Sequence, residues 1–499
     1  MKIFSASLTS QADNYTIEHE PILSIDLMER AANKCIEKIS EIYDTINELT
    51  IFVGPGNNGG DGLAIARLLS RRNINVNVFI FQFTNNFSKD FTINLQRLED
   101  DKKVNVSYIK DVNTFPKLNK NTIIIDAIFG SGLNRKLSGF LKQVVEKINS
   151  FDLEIISIDI PSGLFAEENV EKEKSIVEAQ HTITFQYPFL SFMFPENEKY
   201  VGKFHVVDIG ISEDFINKTS TNHHYLQLKD IILQKRLKFS HKGTYGHAII
   251  FAGSYGMAGA SILSVRAAHR TGTGLVTAVV PKCNREIIQV SSPETILKID
   301  NSKKYISEFP TLEKYNSLAI GPGIGLKKKT VKLLKNIIKN YDKPIVFDAD
   351  AITLLSENKY LFKDIPENSI FTTHQKEFER LVGKSSNDFE RLQMQISFAK
   401  KHKVIVLLKG ASTSIALPSG DVFFNSTGNP GMATGGSGDV LTGIIVSLLA
   451  QNYTPKDAAI FAVFMHGLSG DIAEAKKGQN ALIASDIINY LPEAIKTCS

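Results

Sequence analysis

Cysteine is scarce in this chain of 499 residues: Cys35, Cys283 and Cys498 are the whole supply. An odd number of thiols so far apart offers neither a disulfide framework nor a zinc-ligand spacing, which fits a reducing cytosol. Long apolar runs are also missing. None approaches the roughly 20 residues of a membrane span, and the N-terminal stretch MKIFSASLTS lacks the apolar core of a secretory signal. A soluble, cytoplasmic protein with no membrane partner is expected. Charge of one sign is lacking too, since the formal net charge is only +4. Basic clusters such as Lys327-Lys328-Lys329 therefore read as solvated helix faces, and no nucleic-acid partner is expected.

What is present is ordinary for a globular protein: 22% charged and 43% apolar residues. The length exceeds one hydrophobic core and suggests two to four domains at roughly 150 residues each. Short β-branched runs alternate with helical patterns, the mark of parallel α/β layers. Strands are expected at 50–53, 76–81, 122–126 and 154–159 in the first half. In the second half they are expected at 248–252, 275–280, 317–320, 345–348 and 404–409. The pattern weakens into a polar stretch at 212–237, where a domain boundary is placed. No repeat period links the halves, so they read as two different domains joined.

The first half is dominated by Gly54-Pro55-Gly56-Asn57-Asn58-Gly59-Gly60-Asp61-Gly62, between an apolar run and an amphipathic helix. Its Gly-x-Gly-x-x-Gly spacing formally matches a dinucleotide fingerprint. That fingerprint needs a carboxylate at the end of the next strand to hold a ribose, and the chain reads Phe81-Gln82-Phe83-Thr84-Asn85-Asn86 there. A hydride-transfer Rossmann site is disfavoured, and no Gly-Lys-Ser/Thr follows to make a Walker loop. The loop still presents backbone N–H groups at a helix N-terminus, where an anion gains about 0.3–1 kcal/mol. Asp61 would oppose a phosphate placed directly on it, so it caps the helix or faces a cation or hydroxyl. Two more strands end in polar clusters, one starting at Asp126 and running through Gly130-Ser131-Gly132, the other Asp159-Ile160-Pro161-Ser162-Gly163. Each residue alone reads as a cap or turn. Together at strand ends they read as a ligand site, and Asn58, Asp126 and Ser162 offer hard oxygens suited to an alkali or alkaline-earth cation.

The second half has a counterpart, Gly435-Gly436-Ser437-Gly438-Asp439, opening an apolar helix. Converging N–H donors in such a loop can stabilise charge developing on a transferring phosphoryl group, and Asp439 can deprotonate a substrate hydroxyl. Lys409-Gly410-Ala411-Ser412-Thr413 follows a strand and puts a cation and hydroxyls where a nucleotide phosphate would lie. Asp348-Ala349-Asp350-Ala351 and Gly321-Pro322-Gly323 end two further strands.

The segments NNGGDG, DAIFGSGLNRK and DIPSG resemble the epimerase domain of the bifunctional NAD(P)H-hydrate repair enzymes over about residues 1–215. HKGTYGHAIIFAGSYGMAGA, GPGIG, DADA, LLKGAST and NPGMATGGSGDVLTG resemble their ribokinase-like, ADP-dependent dehydratase domain over about 226–499. The resemblance implies an α/β fold, an N-terminal Rossmann-like three-layer domain followed by a ribokinase-like domain. It implies that Asn57, Asn58, Gly59, Gly60, Asp61, Gly130, Ser131, Gly132, Leu133, Asn134, Arg135, Lys136 and Asp159 contact hydrated NADH or NADPH (NADHX, NADPHX). Asn58, Asp126 and Ser162 would hold K+, and Asp159 would transfer a proton at the hydrated ring carbon. In the second domain Ala258, Gly323, His374 and Asp439 would contact the substrate. Lys409, Gly410, Ala411, Ser412, Thr413 and Gly438 would bind ADP or ATP, with Mg2+ as cofactor and Asp439 catalytic. A homo-oligomer is implied as well. Two departures stand out: Gln186-Tyr187-Pro188-Phe189 lies where many relatives carry a lysine, and Thr372-Thr373-His374-Gln375-Lys376-Glu377 replaces a common Pro-His-Pro-Gly-Glu. The rival expectation is a ribokinase-like small-molecule kinase with a non-catalytic N-terminal binding module.

Overall fold

The structure is a computed structural model that describes residues 1–168 and 175–499. It divides into two compact units, Met1–Thr221 with Asn387–Phe389, and Asn222–Ser386 with Glu390–Ser499.

The first unit is built on seven parallel strands: β1 (Glu48–Val53), β2 (Asn75–Phe81), β3 (Asn105–Ile109), β4 (Ile123–Ala127), β5 (Ile155–Ile158), β6 (His181–Phe185) and β7 (Lys203–Val207). Their order is β3-β2-β1-β4-β5-β6-β7. Successive residues of a strand point to opposite faces, and both faces here are covered. Ile51 and Val53 pack with helices Ser24–Ile42 and Asn57–Ser70, whereas Phe52 packs on the other side with helix Phe140–Asn149. Burial on both faces explains why the central strands are continuous apolar runs rather than alternating ones. The result is a three-layer, Rossmann-like unit.

In the second unit ten strands form one sheet: β8 (His223–Tyr225), β9 (His247–Phe251), β10 (Leu275–Pro281), β11 (Ile296–Asp300), β12 (Ser317–Ile320), β13 (Ile345–Asp348), β14 (Ile370–His374), β15 (Ile405–Lys409), β16 (Ser414–Ala416) and β17 (Val422–Phe424). The order is β11-β10-β9-β12-β13-β14-β15-β16-β17-β8, and only the β15–β16 and β16–β17 pairs are antiparallel. One face carries helices Ala258–Thr271, Ser437–Ala450, Pro455–Lys477 and Ala484–Thr497 over Ala248, Ile250, Ala319 and Val346. On the other, Phe347, Phe371 and Phe398 pack tilted and edge-on, with ring centroids 5.1 and 6.0 Å apart. Among the described residues one helix, Pro455–Lys477, is long and apolar enough to cross a membrane, but 67% of its most apolar stretch is buried in the unit. It is a core helix.

Candidate functional site

Each sheet reverses its direction of growth once, between β1 and β4 in the first unit and between β9 and β12 in the second. Beyond the carboxyl ends of strands flanking such a reversal, the connecting loops diverge and leave a crevice. The glycine-rich and aspartate-bearing segments fall at or beside these crevices.

In the first unit the loop after β1 meets the loop after β4 backbone to backbone. A β-carbon on Gly54 would come within 2.0 Å of the Ile128 carbonyl oxygen, and one on Gly59 within 1.8 Å of the Gly54 carbonyl oxygen. Glycine is required there by close approach. Beside this contact lies a cavity of about 680 Å³, lined by Asn57, Asn58, Asp61, Gly130 to Arg135, and Asp159. Gly59 and Gly60 lie behind the lining. Lys136 follows Arg135 on the exposed side of the loop and does not line the cavity.

Asp159 directly follows β5 with φ of 65°, a left-handed conformation that is costly for a residue with a side chain. The strain is tolerated because the backbone is pinned: its N–H donates to the Ile183 carbonyl at 2.8 Å, and its Oδ2 accepts the Ser131 N–H at 2.8 Å. Burial pushes its carboxyl above the ordinary aspartate value, with the Ser131 bonds opposing. Asp61 is raised well above the ordinary value by burial and then by the charges of Asp159, Asp13 and Asp90. Asp13, from helix Ala6–His19, is pushed up to about 7 by burial and by Asp159. Among the described lining residues Arg135 is the only base, and it is exposed. The cavity therefore holds several carboxylates with little counter-charge, a setting in which protons are readily shared at neutral pH.

Beneath it Asp126 is fully buried. Its Oδ1 accepts Ser162 Oγ at 2.6 Å and Ile128 N–H at 3.3 Å; its Oδ2 accepts Ser157 Oγ at 2.8 Å and Ser162 N–H at 2.9 Å. Every donor is neutral, and burial raises its carboxyl. Both amide atoms of Asn58 are buried without a partner. A buried carboxylate whose donors are all neutral, together with an orphaned amide oxygen, fits an alkali or alkaline-earth cation held by hard oxygens.

In the second unit the carboxyl ends of β9 and β12 are joined by the Gly253 N–H, which donates to the Pro322 carbonyl at 2.7 Å. Gly323 has φ of 62°, and a β-carbon on it would lie 3.3 Å from that of Ala260. Gly323 and the N-terminus of helix Ala258–Thr271, and hence Ala258, are brought together. Ser264 Oγ on that helix donates to the Asp439 carbonyl at 3.0 Å, which ties it to the first turn of helix Ser437–Ala450. The Asp439 carboxyl is pushed up to about 7, by burial first and then by Asp348, with Lys409 opposing and Asp350 adding. A base poised near neutrality suits proton transfer from a hydroxyl.

Lys409 ends β15 and its Nζ donates to Asp348 Oδ1 at 3.2 Å. The turn after it is closed locally: Gly410 N–H donates to Thr413 Oγ1 at 3.2 Å, and Thr413 Oγ1 donates to the Gly410 carbonyl at 2.9 Å. Gly410 and Ala411 are exposed, with Ser412 half-buried. His374 sits opposite Lys409 in the β14–β15 register. It caps helix Gln375–Val382: the Glu377 N–H donates to Nδ1 at 3.4 Å while the His374 N–H donates to Glu377 Oε2 at 2.9 Å. Its ring is half-exposed, and burial pulls its pKa below the ordinary value although Glu377 opposes.

Asp13 and His466 escaped the sequence: Asp13 lies on a helix without a motif. Tyr187, noted in the sequence only as part of a departure from relatives, lines the same cavity, and its hydroxyl is buried without a partner. His466, half-buried and pushed down to about 4 by burial, places Nε2 3.0 Å from the Ser437 carbonyl. Nothing in its helix pattern marks it.

Comparison with known proteins supplies independent findings. Residues 248–493 match the family model described as NAD(P)H-hydrate dehydratase, and residues 24–190 match that of the YjeF-related protein N-terminus. The bifunctional NAD(P)H-hydrate repair enzyme Nnr of Moorella thermoacetica is 33% identical over 99% of this chain and 97% of its own. The enzyme of the same name from Escherichia coli is 30% identical over 94% of this chain and 89% of its own. Among solved structures, an ADP/ATP-dependent NAD(P)H-hydrate dehydratase from Bacillus subtilis co-crystallized with ATP/Mg2+ is 28% identical and covers 56% of this chain and 100% of its own, with a TM-score of 0.49.

Proposed function

The chain belongs to the bifunctional NAD(P)H-hydrate repair family, and from that premise we propose how its two centres divide the work. The enzyme interconverts the R and S epimers of hydrated NADH and NADPH and dehydrates the S epimer at the expense of an adenine nucleotide. The observation that carries the division of labour is the pairing, in each unit, of a glycine-rich loop at a sheet reversal with a carboxyl group whose pKa is raised.

In the first unit Asp159 is the acid–base. Epimerisation requires the ring C–O bond to break, leaving a C=N+ cation, and water to add to the opposite face. A protonated Asp159 turns the departing hydroxyl into water; its carboxylate takes a proton back from the incoming water. Asp13, whose carboxyl is pushed up to about 7, is partly ionised at neutral pH and favours the cationic ring between these steps. Asn57 and the loop 130–135 hold the dinucleotide, with Arg135 and Lys136 near its phosphates. K+ would be held by Asn58, Asp126 and Ser162, where it would offset the buried charge and fix the loops. Replacing K+ with Li+ in the assay, or Asn58→Ala, should weaken substrate binding to the epimerase centre while leaving dehydration of pure S epimer intact.

In the second unit Asp439 accepts the proton of the ring hydroxyl, whose oxygen takes the terminal phosphoryl group of ADP or ATP. With ADP the by-product is AMP. Loss of phosphate together with the proton on the adjacent ring carbon restores the reduced nicotinamide. The loop 435–438 and Lys409 stabilise the charge on the moving phosphoryl group, residues 410–413 hold the nucleotide, and Ala258, Gly323 and His374 flank the hydrate. The described residues include no group of three or more carboxylate, histidine or cysteine ligands able to hold a metal. Mg2+ would therefore be held chiefly by nucleotide phosphates with one or two carboxylates, its usual mode. We place this work in the cytoplasm. Self-association is supported by apolar side chains exposed along edge strand β11 and the helix before it, Ile287, Val290, Ile296 and Ile299, and sedimentation would test it.

The decisive experiment supplies mixed-epimer hydrate with ADP or ATP and follows reduced-nicotinamide absorbance. Free phosphate with regenerated cofactor supports this function; a stable phosphorylated product would instead establish a kinase.

A further inference from the structure

The carboxyl end of β13 carries a group that neither reaction scheme uses. Asp348 is only 1% exposed, yet both its oxygens are engaged. Lys409 Nζ donates to Oδ1 at 3.2 Å and Thr442 Oγ1 donates to Oδ2 at 2.8 Å. The partners belong to β15 and to helix Ser437–Ala450, so this one carboxylate links the strand end that carries the ammonium to the helix that begins in the glycine loop. The ammonium lies over that loop: a β-carbon on Gly438 would stand 3.3 Å from Lys409 Nζ. The backbone beneath is equally constrained. A β-carbon on Gly321 would fall 1.8 Å from the Asp348 carbonyl oxygen, and Ala349 adopts φ of 46°.

A lysine stem has many rotamers, and its charge is a poor point of reference unless something fixes it. We propose that Asp348 is a positioning residue of the second centre, holding the Lys409 ammonium against the 435–438 loop where the transferring phosphoryl group binds. This rests on the assignment of Lys409 and the loop to the nucleotide. Asp348 touches neither reactant and acts through its two partners. Its charge also reaches Asp439, whose carboxyl burial and Asp348 together push up to about 7; Asp350 adds to the effect and Lys409 opposes it. His466, against Ser437, is held neutral by burial and contributes no charge at that pH.

The test is Asp348→Asn in the full chain, assayed with saturating S epimer and varied nucleotide across the neutral pH range. Asparagine keeps the shape and an acceptor oxygen but removes the charge. The nucleotide KM should rise about tenfold, the loss typical of a hydrogen bond to a charged partner. The rising limb of the pH profile should move to lower pH, because a negative neighbour of Asp439 is gone. A purely structural role would lower Tm and the yield of folded enzyme and would move neither quantity. Thr442→Val, which removes only the neutral partner, should raise the nucleotide KM roughly threefold, and it carries the test if Asp348→Asn does not fold. Lys409→Met, run in parallel, separates two failures. If it leaves the nucleotide KM unchanged, the site assignment falls and the proposal with it. If it raises the KM while Asp348→Asn, or in its place Thr442→Val, matches the wild type, the proposal alone is overturned.

Discussion

At the scale of single residues, the first centre accepts a cost in stability for its chemistry. Asp13 titrates near 3.8 in an unfolded chain and is pushed up to about 7 in the folded one. Between those values the folded state binds more protons than the unfolded state, so stability falls as pH rises through the window, by about 1.4 kcal/mol per unit of displacement. Above the folded value the cost is complete; below the unfolded value it vanishes. Asp13→Asn should therefore raise the unfolding temperature of the first unit above neutral pH, and the gain over wild type should shrink progressively through acid and vanish only below the unfolded value of 3.8. Scanning calorimetry at the two extremes would check it, and a gain of equal size at both would refute it. Such a residue was not legible in the sequence because its environment is made by β5 and the 126–135 loop, far away along the chain. Asp159 could be singled out as a candidate because it directly follows a strand, and Asp439 because five glycines crowd the segment before it. His374 shows the limit of motif transfer: its position was found, but its capping bonds to Glu377 came only with the structure.

Most buried central strands were visible in the sequence, but β6 and β14, though largely buried, were not among those expected. β1, β4 and β5 emerge within a residue or two of their expected positions because each is almost wholly buried, and β2 does so through an alternating pattern in which Val76, Val78 and Ile80 face the core. Edge strand β3, with Asn105, Ser107 and Tyr108 exposed, reads as a loop, and β8, β16 and β17 span too few residues to show a period. Close approaches between elements are likewise invisible, yet they decide how a substitution behaves. Gly443 lies within helix Ser437–Ala450, where glycine to alanine ordinarily stabilises by about 1 kcal/mol. Here a β-carbon would come 2.2 Å from the Ser264 carbonyl oxygen and 2.8 Å from the Ala267 β-carbon. Backbone cannot yield cheaply, and overpacking costs about 1–3 kcal/mol or more. The steric term wins, so Gly443→Ala should lower the Tm of the second unit and, by shifting the helix that bears Asp439, reduce dehydration more than epimerisation. An unchanged or higher Tm would show that the two helices slide apart freely.

For the whole molecule, the consequence of two centres in one chain is a prediction about the shape of a progress curve. Hydration without stereochemical control yields both epimers, and only S can be dehydrated. Wild-type enzyme should therefore convert the entire mixture in one phase. On the proposed mechanism Asp159→Asn removes the proton-transfer group of the first centre, a loss of about 10²–10⁴ in rate for a positioned acid–base, and leaves the second centre intact. Its curve should break into two phases: a fast one whose amplitude equals the initial S fraction, and a slow one set by uncatalysed epimerisation. Asp439→Asn should show neither phase, while chiral chromatography still finds R and S reaching equilibrium at the wild-type rate. Mixing the two variants restores a single phase only if R epimer processed by one molecule reaches the second centre of another through solution. Raising total enzyme should then speed the conversion without changing the final amplitude. A two-phase curve that persists at every concentration of the mixture would mean that epimer passes between centres without leaving the chain, and a single-phase curve from Asp159→Asn alone would remove the first unit from the pathway altogether.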